Sequence, residues 1–362
     1  MNRYFLLFAA FILWCTAVRA QDTPGYTSDT VNFKSADGKI TFAGTLTVPR
    51  GGKAVPAVVI ISGTYPQDRD GNMAGHPIFA QIAAHLSDNG IAVLRMDDRG
   101  TGKTTGVYET ATTGDFADDA LRAITYLKGV KVINPNRIGL LGHSEGGAAA
   151  AIAAAKSKDV AFIVSVAGLA MSGYESLIRQ NEDLVNGSQL SEVDKKRSNE
   201  INGMMFKVAY KYAASDSLES VLNKTYADWK IKDDAYFKTL HIEFDHFRFP
   251  IYSFVRTAIG PWYRYFVRYN APKTLAKVHV PILALNGDKD LMVNGEANLA
   301  NWKNFSAAGG NRKVKTLLLS GLNHLFLPCQ TCTVAEYRTI NAGFSGRALD
   351  MITRWVLTLQ PQ

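Results

Sequence analysis

Short apolar runs rich in Val, Ile and Leu alternate along the chain with longer stretches whose apolar positions recur at helical spacing. Strands separated by helices pair in parallel, so the pattern predicts an α/β fold with a mostly parallel central sheet and helices on both faces. The strand candidates are "VPAVVIISG", "IAVLRMDD", "RIGLLGH", "VAFIVSVAG", "VPILALNGDKD" and "KVKTLLLSG". Between and after them lie the helix candidates "HPIFAQIAAHLSDNG", "DFADDALRAITYLKG", "EGGAAAAIAAAK", "NGEANLANWKNFSAAGG" and a last one from about Phe344 to Leu359. At the N-terminal side "TVNFKS" and "ITFAGTLTVP" flank "ADGK", whose Asp-Gly suits a hairpin turn.

The alternation stops from about Met171 to Pro272. This segment is charged at first ("EVDKKRSNE") and crowded with aromatics between Phe244 and Tyr269. Residues 171–272 therefore read as a helical cap inserted between two sheet strands, with 21–170 and 273–362 forming one sheet domain around it. The aromatics either roof a pocket at the sheet edge or pack the insertion's own core.

Composition narrows the class. Apolar residues make up 47% of the chain and charged residues 20%, the balance of an ordinary globular protein, and 362 residues suffice for one large domain with an insertion. Residues 1–20 stand apart: Arg3, the apolar run "YFLLFAAFILWCTAV", then small residues before a cut after Ala20. That is the signature of a secretory signal peptide, too short to span a bilayer comfortably. It predicts export to a periplasm or the medium, with no stable membrane insertion once cleaved. Cleavage would remove Arg3 and Arg19 and lower the net charge from +8 to +6. The remaining basic residues are scattered, which argues against a nucleic-acid partner. Cys329 and Cys332 in "PCQTC" are expected to close a loop disulfide in an oxidising compartment, and no second pair exists to complete a zinc site. His241 and His246 lie with Glu243 and Asp245 in the insertion, a metal-site candidate that is not favoured, and no metal or cofactor is expected.

The chemistry centres on "GHSEGG". Ser144 stands in a G-x-S-x-G pattern between a strand and a helix, where a sharp turn exposes its hydroxyl. A serine needs a base, and the base needs a carboxylate to orient it. "GLNHLF" supplies His324 just after the last strand. "NGDKDLMV" supplies Asp288 and Asp290 after the strand before it, and Asp290 is preferred. His143 packs beside the nucleophile, and His76, His85 and His279 have surface or helix-end readings. Backbone N–H groups of Thr64 or Tyr65, in the loop "SGTYPQDRDGN", and of Glu145 at a helix start are the candidate oxyanion donors.

Together "ISGTYPQDRDGN", "RMDDRGTGKT", "GHSEGG", "NGDKDLMV" and "GLNHLF" resemble the alpha/beta-hydrolase superfamily, in the branch of secreted serine esterases similar to the catalytic domains of prolyl-oligopeptidase-type peptidases. The resemblance implies the alpha/beta-hydrolase fold and a Ser144–His324–Asp290 triad. Its usual acid lies in a G-x-x-D-x-x-V pattern, matched here by Gly287, Asp290 and Val293. One departure is the oxyanion loop, which has Ser62-Gly63 where many lipases have His-Gly. "RGTGKTTG" lacks the first glycine of a phosphate-binding loop, having Asp97 there.

The expected activity is therefore cleavage of a small-molecule carboxylic ester through an acyl-enzyme. The rivals are a serine peptidase, an acyltransferase, or a non-catalytic binding protein on the same scaffold. Such binding proteins typically lack a triad member, and all three are present.

Overall fold

A computed structural model describes residues 24–360. The expected signal peptide, residues 1–20, lies outside the described residues. An N-terminal hairpin of β1 (Tyr26–Lys34) and β2 (Thr41–Pro49) turns at Asp37-Gly38, with Gly38 at φ 74°. Then follow β3 (Val55–Ile61), the two-residue strands β4 (Asn72–Met73) and β5 (His76–Pro77), α1 (Ile78–Asp88), β6 (Ala92–Met96), α2 (Thr113–Lys128), β7 (Ile133–His143), α3 (Glu145–Lys156) and β8 (Ile163–Val166). Six helices come next: α4 (Gly173–Asn186), α5 (Glu192–Tyr212), α6 (Leu218–Thr239), α7 (Ile251–Ala258), α8 (Pro261–Phe266) and α9 (Ala271–Leu275). The chain closes with β9 (Ile282–Gly287), α10 (Gly295–Ala308), β10 (Val314–Leu319), the 3-10 turn Val334–Thr339 and α11 (Gly346–Thr358).

Eight strands form one sheet in the order β1-β2-β6-β3-β7-β8-β9-β10. From β6 to β10 every neighbouring pair is parallel, while β2 runs antiparallel to both β1 and β6. Strand alternation divides the core. On β3, Ala57, Val59 and Ile61 face the layer of α2, α3 and α10, whereas Val58 and Ile60 face the layer of α1 and α11. A parallel strand is buried on both faces, which is why "VPAVVII" is apolar without a break.

α2 begins two residues ahead of the expected start. Thr112 accepts from the Asp115 N–H, and the Asp115 carboxylate accepts from the Thr112 N–H, a reciprocal cap that fixes the first turn. His76 departs from its surface reading. It is buried, and its Nε2 donates to the carbonyl of Tyr337 at 2.8 Å.

Helices α5 to α8 share a core of their own, with Ile201, Met205, Leu222, Trp229, Phe249 and Tyr263 at its centre. About half of the segment's aromatics pack there: Phe247, Trp229, Tyr226, Phe249, Phe254 and Tyr263 form a chain of ring contacts. Arg197 of α5 is buried among them, held by Asp233 through Nε and Nη2 at 2.7 Å each and by Asp245 at 2.9 and 2.7 Å. His241 and His246 do not join a ligand set; among the described residues, the acidic groups that converge are Asp233, Asp234 and Asp245. Arg197 occupies two of those three. Phe266 and Tyr269 instead join the sheet-face core. No helix of the described residues is long and apolar enough to cross a membrane.

Candidate active site

Ser144 follows the last residue of β7 and caps α3 at φ 56°, ψ −122°, a backbone conformation that L-residues rarely adopt. The neighbouring contacts over-determine it. The Ser144 N–H donates to the Val166 carbonyl at 3.2 Å, and the Ser144 carbonyl accepts from Gly147 at 3.0 Å and Leu169 at 2.9 Å. A Cβ on Gly142 would lie 2.1 Å from the Gly146 carbonyl oxygen, and one on Gly146 would lie 2.4 Å from that of Ile61. Both obstacles are backbone, so neither glycine can carry a side chain without moving strand against helix.

His324 lies in the loop after β10 and Asp290 in the loop after β9. His324 Nδ1 donates to Asp290 Oδ2 at 2.8 Å. Because a carboxylate only accepts, Nδ1 carries the proton and Nε2 is the ring's basic nitrogen. Asp290 is itself fixed: Oδ1 accepts from the N–H groups of Met292 and Val293 at 2.8 and 2.9 Å, and Oδ2 accepts from Asn286 Nδ2 at 3.1 Å. Asp288 points elsewhere, accepting from the Gly321 N–H at 2.7 Å and the Ser320 hydroxyl at 3.2 Å.

His143, next to Ser144, is buried with its ring 4.8 Å from that of His324. This contact brings the two strand ends together. Among the hydrogen bonds of the described residues, none joins Ser144 to His324. Such links are often loose without substrate and tighten in the complex.

The loop after β3 crosses the same edge, and a Cβ on Gly63 would lie 3.0 Å from that of Ser144. Two carboxylates brace it, Asp98 half-buried and Glu145 buried. Asp98 accepts from the Ser62 hydroxyl at 2.6 Å and the Gln67 N–H at 2.9 Å, while burial pushes its carboxyl up to about 7. Glu145 Oε2 accepts from the Thr64 hydroxyl at 2.8 Å. Farther along the same loop Arg69 grips Asp97 at 2.6 and 2.9 Å. The run "RMDDRGTGKT" is thus a brace for the loop, a role that sequence reasoning missed; paired aspartates at a strand end were its only signal. Of the candidate oxyanion donors, the N–H of Tyr65 (φ 75°) already faces the Tyr108 hydroxyl. Those of Thr64 and Glu145 donate to no protein group among the described residues. They are the two candidate donors left without a protein acceptor among the described residues.

Cys329 and Cys332 form a disulfide in the loop that follows His324, with Cα atoms 5.0 Å apart. Glu336 holds the same loop, accepting from Gln330 N and Thr331 Oγ1 at 2.8 Å each and from Cys332 N at 2.5 Å. A surface cavity of about 470 Å³ lies elsewhere, at the far end of α3 by Lys156, Arg268 and Lys273.

Comparison with known proteins agrees with this fold. The family model for X-Pro dipeptidyl-peptidase (S15 family) matches residues 37–326. Esterase EstD of Thermotoga maritima is 25% identical over 316 residues, covering 87% of this chain. This chain spans 65% of the length of EstD. Two solved structures share the fold. DcsB in complex with its substrate analogue has a TM-score of 0.55 at 18% identity, covering 91% of this chain and 98% of that one. Alpha/beta hydrolase GrgF from Penicillium sp. sh18 has a TM-score of 0.51 at 20% identity, covering 83% and 91%. The chain has the alpha/beta-hydrolase fold, and it belongs to the X-Pro dipeptidyl-peptidase (S15) family.

Proposed function

We propose that the chain is a serine esterase whose triad is Ser144, His324 and Asp290. The observation that carries the reading is the His324–Asp290 bond at 2.8 Å, set beside a serine held at positive φ on a strand-to-helix corner. His324 Nε2 takes the Ser144 proton as Oγ bonds to the acyl carbon, and the substrate's carbonyl oxygen becomes an oxyanion. The N–H groups of Thr64 and Glu145 donate to that oxyanion. The tetrahedral adduct collapses, the alcohol leaves with the proton from His324, and water repeats the sequence to release the acid and restore Ser144. Asp290 keeps the imidazole in the reactive tautomer throughout.

The similarity to EstD favours ester substrates. The family match favours a second reading, removal of X-Pro dipeptides by the same residues. An amide must lose a poorer leaving group, and the segment between β8 and β9 is a set of helices with its own core. Comparing p-nitrophenyl esters with X-Pro naphthylamides decides between them: faster amide turnover would replace the esterase by a peptidase. Export is part of the proposal, and N-terminal sequencing of the mature protein should begin at Gln21.

A further inference from the structure

Glu145 does more than begin α3. An acidic residue in the first turn of a helix ordinarily faces solvent and serves the helix's own N–H groups. Glu145 is instead 3% exposed, and its carboxylate makes no bond to α3. It accepts three hydrogen bonds from three distant parts of the chain. Thr64 Oγ1 of the oxyanion loop donates to Oε2 at 2.8 Å, and Thr113 Oγ1 at the start of α2 donates to Oε1 at 2.6 Å. Trp262 Nε1 of α8 also donates to Oε1, at 2.8 Å. No lysine or arginine reaches this carboxylate among the described residues. Burial raises its proton affinity, and the three donors pull the other way.

A buried carboxylate with no cation depends on its full set of donors. Its indole donor cannot be replaced by a hydroxyl that rotates, because Trp262 has one N–H in one direction. We propose that Glu145 is a positioning residue that couples the helices between β8 and β9 to the oxyanion loop. Displacement of α8 by a substrate's acyl or alcohol part withdraws Trp262 from Oε1, and the loss is felt by Thr64 through the other oxygen. What occupies the space beside Trp262 thereby sets the alignment of the N–H groups that bind the oxyanion. The inference rests on the serine-hydrolase reading of Ser144.

The test is a cycle on two residues that share Glu145 as hydrogen-bond acceptor: wild type, Thr64→Val, Trp262→Phe and the double variant, then the same four with Glu145→Gln. Two readouts are taken, the rate of Ser144 labelling by a fluorophosphonate and the kcat and KM for p-nitrophenyl butyrate. With Glu145 present, the double variant should depart from the product of the single effects by about fivefold or more, the range of residues that share one network. Each single change should move both kcat and KM, and the coupling should vanish with Glu145→Gln. Effects that multiply to within about twofold overturn the inference alone. A wild type that the probe does not label overturns the hydrolase reading and the inference with it. Should Glu145→Gln fail to fold, the first four proteins still decide.

Discussion

His143 Nε2 donates to the backbone carbonyl of His324 at 3.1 Å, so the residue before the candidate nucleophile holds the candidate base in place. The bond requires a proton on Nε2 and burial keeps the ring neutral, leaving a buried Nδ1 that has no partner among the described residues.

Burial pushes the His143 pKa from 6.5 down to about 3. Between those values the unfolded chain binds a proton that the folded chain refuses, so stability rises with pH there and is lost as pH falls below about 6.5. The slope from one such group reaches ~1.4 kcal/mol per pH unit. Urea melts from pH 8 to pH 5 should show a steeper loss in wild type than in His143→Phe. Parallel curves would remove this residue from the acid response.

Ser144→Ala and His324→Ala should each lower turnover by roughly three to six orders of magnitude with melting temperature little changed. Asp290→Asn should cost far more activity than Asp288→Asn, because only Asp290 bonds the imidazole. Steady-state rates on one p-nitrophenyl ester check the ranking, and its reversal would reassign the acid.

Gly142→Ala and Gly146→Ala force a methyl group against backbone oxygen at 2.1 and 2.4 Å. Each should destabilise the fold by about 3 kcal/mol and abolish probe labelling. Denaturant melts that match wild type would show that the corner tolerates a side chain.

Arg197→Met removes the cation that Asp233 and Asp245 share and should cost about 3–5 kcal/mol, with proteolysis starting in the α5–α7 segment. The same guanidinium holds the Asp245 carboxyl down to about 2. Its stabilisation is therefore present above about pH 3.8 and lost as pH falls through 2, a response that Arg197→Met should lack in acid-unfolding curves. Cleavage sites scattered over the sheet strands would contradict the assignment.

The sheet was legible because each central strand is an unbroken apolar run bounded by glycine or charge, and α3 because five of its seven alanines are buried against neighbours. The pair β4 and β5 escaped notice, since two residues carry no period. β7 begins at Ile133 instead of near Arg137, because "INPN" holds the sheet edge through a register shift opposite Val55 and Ala57 that no alternation reveals. Ser144, Asp290 and His324 could be named because each sits at a strand end within a recognisable phrase. The part of Glu145 could not, as its donors lie 32, 81 and 117 positions away in residue types with many ordinary uses.

The separate apolar centre of α5 to α8 bears on how such a protein changes over generations. A segment that supports itself can be remodelled without unfolding the sheet beneath it, so new substrates can be accommodated by altering the exposed faces of those helices. Trp262 is the exception. A change made for fit at this position also reaches Glu145 and the loop it holds.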